Sequence, residues 1–174
     1  GAYGGIYHYT DNRATWTTAT NDLTNRVVRA LAVSGPSLYA GTADGVFRST
    51  DNGASWIAVN SGLTHQDVRA LTVCGTILVA GTSDGQLFRS TNGGDDWTHH
   101  PETFSKILTV WSDSATMFVG TFGEWMHRST DGGMTWENSG LYAHYVWAVA
   151  KSGKYRFAGT TAGIFRSPDN GQSW

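Results

Sequence analysis

The chain of 174 residues has one cysteine, Cys74. No disulfide framework can be built from it, and its place in the apolar run 71–80 reads as a small buried hydrophobe. Lysine is scarce, with Lys106, Lys151 and Lys154 the full set. Charged residues make up 15% of the chain, the formal net charge is −2, and no basic stripe runs through it. That excludes nucleic acid as an expected partner. No apolar run approaches the ~18 residues of a membrane span, so none is expected. No leader peptide is visible, and Gly1 is not a natural start, so this says little about targeting. The low lysine content beside abundant Gly, Ser, Thr and Asn leans toward an extracellular or periplasmic protein. Helical periodicity is absent throughout. The six histidines (His8, His65, His99, His100, His127 and His144) show no ligand spacing, and neighbours such as His99 and His100 point to opposite sides of an extended segment. No metal and no cofactor is expected.

What the chain has is a repeat. A phrase of the form Ser/Thr-x-Asp-x-Gly-x-Thr/Ser-Trp occurs five times, with drift. The tryptophans Trp16, Trp56, Trp97, Trp136 and Trp174 are 40, 41, 39 and 38 residues apart. A period near 40 means one supersecondary unit repeated. At 40% hydrophobic and 13% aromatic, the chain can bury a sizeable core as a single region.

Residues 27–59 show the unit. Residues 27–33 are a short apolar strand, and 34–37 turn on Gly35 and Pro36. Residues 38–42 form a second strand, which Asp44-Gly45 joins by a tight turn to a third over 46–49. Asp51 to Gly53 turn again, and 55–59 are a fourth strand carrying Trp56. Four short antiparallel strands per ~40 residues predict an all-β fold, a β-propeller of four-stranded blades. In the phrase itself, Asp51 can accept backbone N–H bonds across its turn and Gly53 can take positive φ. Trp56 can then cover the blade edge against its neighbour.

The phrase resembles the Asp-box, or bacterial neuraminidase repeat. The resemblance rests on Asp11 and Trp16; Asp51, Gly53 and Trp56; Gly94 and Trp97; Asp131, Gly133 and Trp136; and Asp169, Gly171 and Trp174. The segments between boxes repeat too, as in residues 28–33 and 68–73, so it covers almost the whole chain. Box one departs at Tyr9 and Arg13, box three has Asn92 for Asp, and box five has Pro168. A structural turn tolerates such changes. The boxes lack the further carboxylates and bidentate Glu of a calcium loop. The resemblance implies that the boxes are structural turns between third and fourth strands, away from the functional face.

Aligned units give a partial blade over 1–22, blades over 23–62, 63–103 and 104–141, and an incomplete blade over 142–174. The expected architecture is about four to five blades, an arc of a larger propeller. Closure of the ring by strands from both ends, and pairing of spare strands with another copy, are the alternatives.

Candidate functional residues are those that break the repeat. Thr121-Phe122-Gly123-Glu124-Trp125 replaces the Thr-x-Asp-Gly of other units, placing Phe122 and Trp125 beside Glu124. Aromatics beside a carboxylate suit a protein hot spot or a sugar platform. Inner-strand position 29 has counterparts at 69, 108 and 147, occupied by Arg29, Arg69, Leu108 and Trp147. The arginines could hold an anion bidentately, or pair structurally with Asp44, Asp67 or Asp84. Arg48, Arg89, Arg128 and Arg166 repeat and read as scaffold.

Sialidases of the resembled family use three arginines, a Tyr–Glu pair and an Asp, and carry a Phe/Tyr-Arg-Ile-Pro phrase that is absent here. The chain's glutamates are Glu102, Glu124 and Glu137, and none is near a plausible Tyr nucleophile in sequence. Glycoside hydrolysis needs two carboxylates about 5 to 10 Å apart, and nothing in the sequence selects a pair. No catalytic residue is assigned. Other resembled proteins, secreted bacterial repeat proteins, assembly factors and sorting receptors, imply a non-catalytic binding or structural propeller. The expected partner is another protein or a multiprotein complex. The alternative is a carbohydrate-active propeller, either a hydrolase of sialidase or xyloglucanase type or a sugar-binding lectin.

Overall fold

The structure is a computed structural model that describes residues 4–9, 16–113, 116–142 and 145–174. Asp11 and the rest of the first box turn, and His144, lie outside the described residues. The described chain is all strand and turn, and its strands form five antiparallel sheets. The first sheet pairs β1 (Tyr7–Tyr9) with β2 (Trp16–Thr18). The second runs β3 (Val28–Ser34), β4 (Ser37–Thr42), β5 (Gly45–Ser49) and β6 (Ile57–Ala58). The third runs β7 (Val68–Cys74), β8 (Ile77–Thr82), β9 (Leu87–Ser90) and β10 (Thr98–His99). The fourth runs β11 (Ile107–Ser112), β12 (Met117–Thr121), β13 (Met126–Ser129) and β14 (Glu137–Asn138). The fifth has β15 (Val146–Ser152), β16 (Tyr155–Thr160) and β17 (Gly163–Ser167).

Each sheet is a meander, and the first strands β3, β7, β11 and β15 pack side by side. They are therefore the inner strands of successive blades, and the chain forms an arc of a β-propeller. The sheets are not closed into a ring. Burial explains the arc. Along β8, Leu78 and Ala80 pack toward the preceding blade and Val79 toward the following one. Both faces of a middle blade are covered, so its strands read as continuous apolar runs rather than alternating ones. Four hydrophobic clusters result, each between two consecutive sheets. Burying one large side chain such as Phe88 or Phe118, both fully buried, contributes roughly 1.5–3 kcal/mol.

The close approach of blades demands glycine at one place. A Cβ on Gly81 would lie 2.6 Å from Ile107 Cγ2 and 3.1 Å from Val110 Cγ2 of the next inner strand. Gly41 and Gly120 meet Val68 and Val146 in the same way.

The box turns are held by side chains. Ser49 Oγ donates to Asp51 Oδ1 at 2.8 Å and accepts the Gly53 N–H at 2.8 Å. Asp51 also accepts the Ser55 N–H at 2.9 Å and the Ser55 hydroxyl at 2.6 Å. Box four repeats this with Ser129, Asp131, Gly133 and Thr135, and box five with Ser167, Asp169, Gly171 and Ser173. Box three reverses one bond. Asn92 takes the place of the aspartate, and its amide donates to the carboxylate of Asp96, which stands where other boxes have Ser or Thr. Gly94 keeps the same bond to Ser90 Oγ.

The outer strands are shorter than the sequence predicts. Trp56, Trp97 and Trp136 stand just before β6, β10 and β14 rather than on them. The indoles of Trp56 and Trp97 bond to the preceding blade, whereas Trp136 Nε1 is buried without a partner. Trp56 Nε1 donates to Ala19 O at 2.9 Å, and Trp97 Nε1 to Val59 O at 2.8 Å. The backbone N–H of Trp97 also leaves its own sheet and donates to Ser61 O. All three indoles are buried, whereas Trp16 is 67% exposed and lies tilted against Tyr9, with ring centroids 5.6 Å apart. Cys74 is half-buried rather than enclosed, and its thiol donates to Asp113 O at 2.9 Å. Burial, then the charge of Asp113, pushes the Cys74 thiol above its ordinary pKa.

Candidate functional site

In each meander the box turn and the loop joining strands two and three lie at opposite ends of strand three. The segment leaving strand four returns to that second end. The β12–β13 loop and the connection from β14 to β15 therefore meet, as the isolated bridge between Phe122 and Tyr145 records.

Aromatic side chains gather where they meet. The rings of Phe122 and Tyr145 stack, with centroids 4.1 Å apart and planes at 25°. Tyr145 in turn lies 6.0 Å from Trp147 on the inner strand. Trp125 and Tyr142 form a second pair at 5.0 Å with planes at 79°. Phe122, Trp125, Tyr142 and Trp147 are exposed by 45%, 44%, 73% and 52%, an unusual concentration of large apolar surface.

The loop is held in a specific shape. Thr121 Oγ1 donates to Trp125 O at 2.8 Å, and the Glu124 N–H donates to Thr121 Oγ1 at 3.2 Å. Trp125 has φ of 65°, a left-handed conformation that costs a bulky residue of order 1–3 kcal/mol. Glu124 Oε2 accepts the Ser105 N–H at 2.5 Å, tying the loop to the segment before β11. That segment also seats Phe104 edge-on to His127 at 4.9 Å. His127 Nε2 lies 3.1 Å from Glu124 O. Burial lowers the His127 pKa, and the bond to Glu124 O and the charges of Glu124 and Glu102 offset this only in part. Between these groups opens a cavity of about 320 Å³, lined by Gly123, Glu124, Trp125, His127 and Asn138.

The inner-strand candidates share a different geometry. The ladder between strands one and two slips once in every complete pairing, between Val28 and Ala30, Val68 and Ala70, Ile107 and Thr109, and Val146 and Ala148. Arg29, Arg69, Leu108 and Trp147 are therefore the extra residues of four equivalent β-bulges. A bulge re-aims the side chain it carries. Arg29 Nη1 pairs with the Asp67 carboxylate. Asp84 pairs with His65 at 3.3 Å. Arg69 has no ion pair among the described residues, and its Nε is buried without a partner.

The structure thus brings Phe122 together with Trp147 through Tyr145, and sets Glu124 beside Trp125. It keeps Arg29 in a separate ion pair. Sequence reasoning missed Tyr142 and Tyr145, which belong to the blade connection and carry no repeat signal. Among the described residues no three His, Cys, Asp or Glu side chains gather as metal ligands. No helix of the described residues is long and apolar enough to cross a membrane.

No family model and no curated protein sequence matches the chain. Solved structures do. The GH74 xyloglucanase from Xanthomonas campestris is 18% identical, with a TM-score of 0.78 over 97% of this chain and 34% of that one. The extracellular domain of the two-component system protein BT4673 from B. thetaiotaomicron is 17% identical, with a TM-score of 0.80 over 95% of this chain and 24% of that one. YCF48 bound to D1 peptide is 14% identical, with a TM-score of 0.66 over 85% of this chain and 53% of that one. The chain spans between 24% and 53% of the length of these three. An enzyme, an extracellular domain and a peptide-bound protein share the arrangement, and what they have in common with this chain is the propeller fold.

Proposed function

We propose that the chain is part of a non-catalytic, Asp-box type β-propeller that binds another protein or a multiprotein complex. The observation that carries this reading is the exposed aromatic group Phe122, Trp125, Tyr142 and Trp147 at the end of the blades opposite the box turns. Exposed Trp, Tyr and Phe in one patch are the residues that anchor protein interfaces. The strained Trp125 supports it, since strain persists where a side chain's position matters more than stability. A protein of the same fold is bound to a peptide. The low lysine content and the extracellular domain among the structural neighbours support an extracellular or periplasmic setting.

The second reading, a carbohydrate-active propeller, draws on the same aromatics beside Glu124 and on the fold shared with a xyloglucanase. One experiment separates the two. The purified chain is used to capture partners, each is then purified, and its affinity is measured with the unaltered chain and with a Phe122→Ala, Trp125→Ala variant. Reducing-sugar release from β-glucans is assayed in parallel. A protein partner whose affinity falls at least tenfold in the variant supports the reading. Sugar release that the variant loses would overturn it.

A further inference from the structure

The cavity beside Trp125 differs chemically from a flat platform. Trp125 is the aromatic wall of the cavity, and Tyr142 packs against the Trp125 ring at 79° from outside the lining. A cation held against that ring gains from its quadrupole. The remaining walls are Glu124, His127 and Asn138. Glu124 spends Oε2 on the Ser105 N–H, and no hydrogen bond occupies its Oε1 among the described residues. Neither Glu124 nor Glu102 has an ion-pair partner among the described residues. Both act on His127 by their charge, and His127 is held below its ordinary pKa by burial. At neutral pH the ring is therefore uncharged and does not offset the two carboxylates. Arg128, the cation nearest in sequence, is paired with Glu137, and no Lys or Arg lines the cavity. An aromatic wall, a partly free carboxylate and a lining without Lys or Arg are complementary to a positive group. About 320 Å³ suits one long side chain better than an extended oligomer.

We propose that this cavity seats one arginine or lysine side chain of a polypeptide partner, with Trp125 as its aromatic wall and Glu124 as its counter-charge. This rests on the protein-binding reading above and adds the chemistry the partner must present. The partner's interface has a basic residue at its centre. The Trp125 ring takes the aliphatic stem, and the carboxylate faces the guanidinium or ammonium head.

The test uses small probes on the full chain. N-acetyl-arginine methylamide, the lysine analogue and the uncharged citrulline analogue are titrated while the indole ¹⁵N–¹H signals are followed. The Trp125 signal is assigned by its loss in a Trp125→Phe variant. The charged probes shift this signal saturably, and the citrulline probe binds at least tenfold more weakly. Glu124→Gln, which keeps an acceptor for the Ser105 N–H, weakens the charged probes about tenfold. Equal shifts with charged and uncharged probes would overturn the inference while leaving a protein-binding face. No shift with any probe would overturn it too, and the partner-affinity assay would then decide the wider reading alone. A cello-oligosaccharide that shifts Trp125 where the charged probes do not would overturn both.

Discussion

Arg48 Nη1 donates to the carbonyl oxygen of Gly93 at 2.9 Å, across the boundary between two blades. The next two blades repeat the bond. Arg89 Nε reaches Gly132 O at 2.7 Å, and Arg128 Nη1 reaches Asn170 O at 3.3 Å. Each arginine leaves strand three of its own blade and caps the box turn of the following one. Arg128 is also held by Glu137 of its own blade. The box is therefore a docking point between blades as well as a turn within one.

Removing the clasp loosens the blade boundary. Arg89→Ala strands a carbonyl that now accepts a charged donor, a bond of about 1.5–3 kcal/mol. Urea unfolding shows a loss of unfolding free energy of that size. A change below about 0.3 kcal/mol would mean that water replaces the guanidinium without cost.

The boxes make the fold acid-labile. Asp51 is lowered to about 2, first by the Ser55 hydroxyl and then by the Ser55 N–H and the Ser49 hydroxyl. Asp169 is lowered in the same way by Ser173 and Ser167. At Asp131 burial acts in the opposite direction, but bonds from Thr135, Ser129 and Met134 outweigh it and the group is again lowered. Because these folded-state values are depressed, the stability they bring is full above the unfolded value of 3.8. It is lost as pH falls toward about 2. Thermal unfolding between pH 6 and pH 2 therefore shows a steep loss below pH about 4. Asp51→Asn is less stable than the parent at pH 6, and the gap narrows by pH 2. A gap that stays constant would remove Asp51 from the acid response.

Gly81→Ala places a methyl 2.6 Å from Ile107 Cγ2. Overpacking of this kind costs about 1–3 kcal/mol. Gly159→Ala meets nothing closer than 4.0 Å and leaves stability nearly unchanged. Equal effects in denaturant melts would refute the close-approach argument.

Trp125→Gly separates stability from binding. Glycine relieves the left-handed strain and loses one ring contact, so unfolding stays within about 1 kcal/mol of the parent. Binding of the arginine probe falls at least tenfold. A large destabilisation with unchanged probe binding would make Trp125 a packing residue.

The scaffold was legible because it repeats. Ser49, Asp51, Gly53 and Trp56 recur with a fixed step, and a fixed step reports local turns whatever the surroundings. The interblade reach of Arg48 was not legible, since its partner lies 45 residues away and no local pattern marks it. The bulges escaped for another reason. One unpaired residue in a seven-residue strand leaves the apolar pattern of β3 intact on both sides. Phe122, Glu124 and Trp125 stood out because they break the repeat. Tyr142 and Tyr145 did not, because a connecting segment has no expected pattern to violate.

The bulge residues have no partner in their ladders, so the hydrogen bonds of each inner strand are the same whatever side chain sits there. Guanidinium, isobutyl and indole already occupy the four places as Arg29, Arg69, Leu108 and Trp147. The frame is indifferent to these positions in the way a keyboard is indifferent to its legends. The chemistry these four positions present can therefore change one residue at a time while the strand ladders stay as they are.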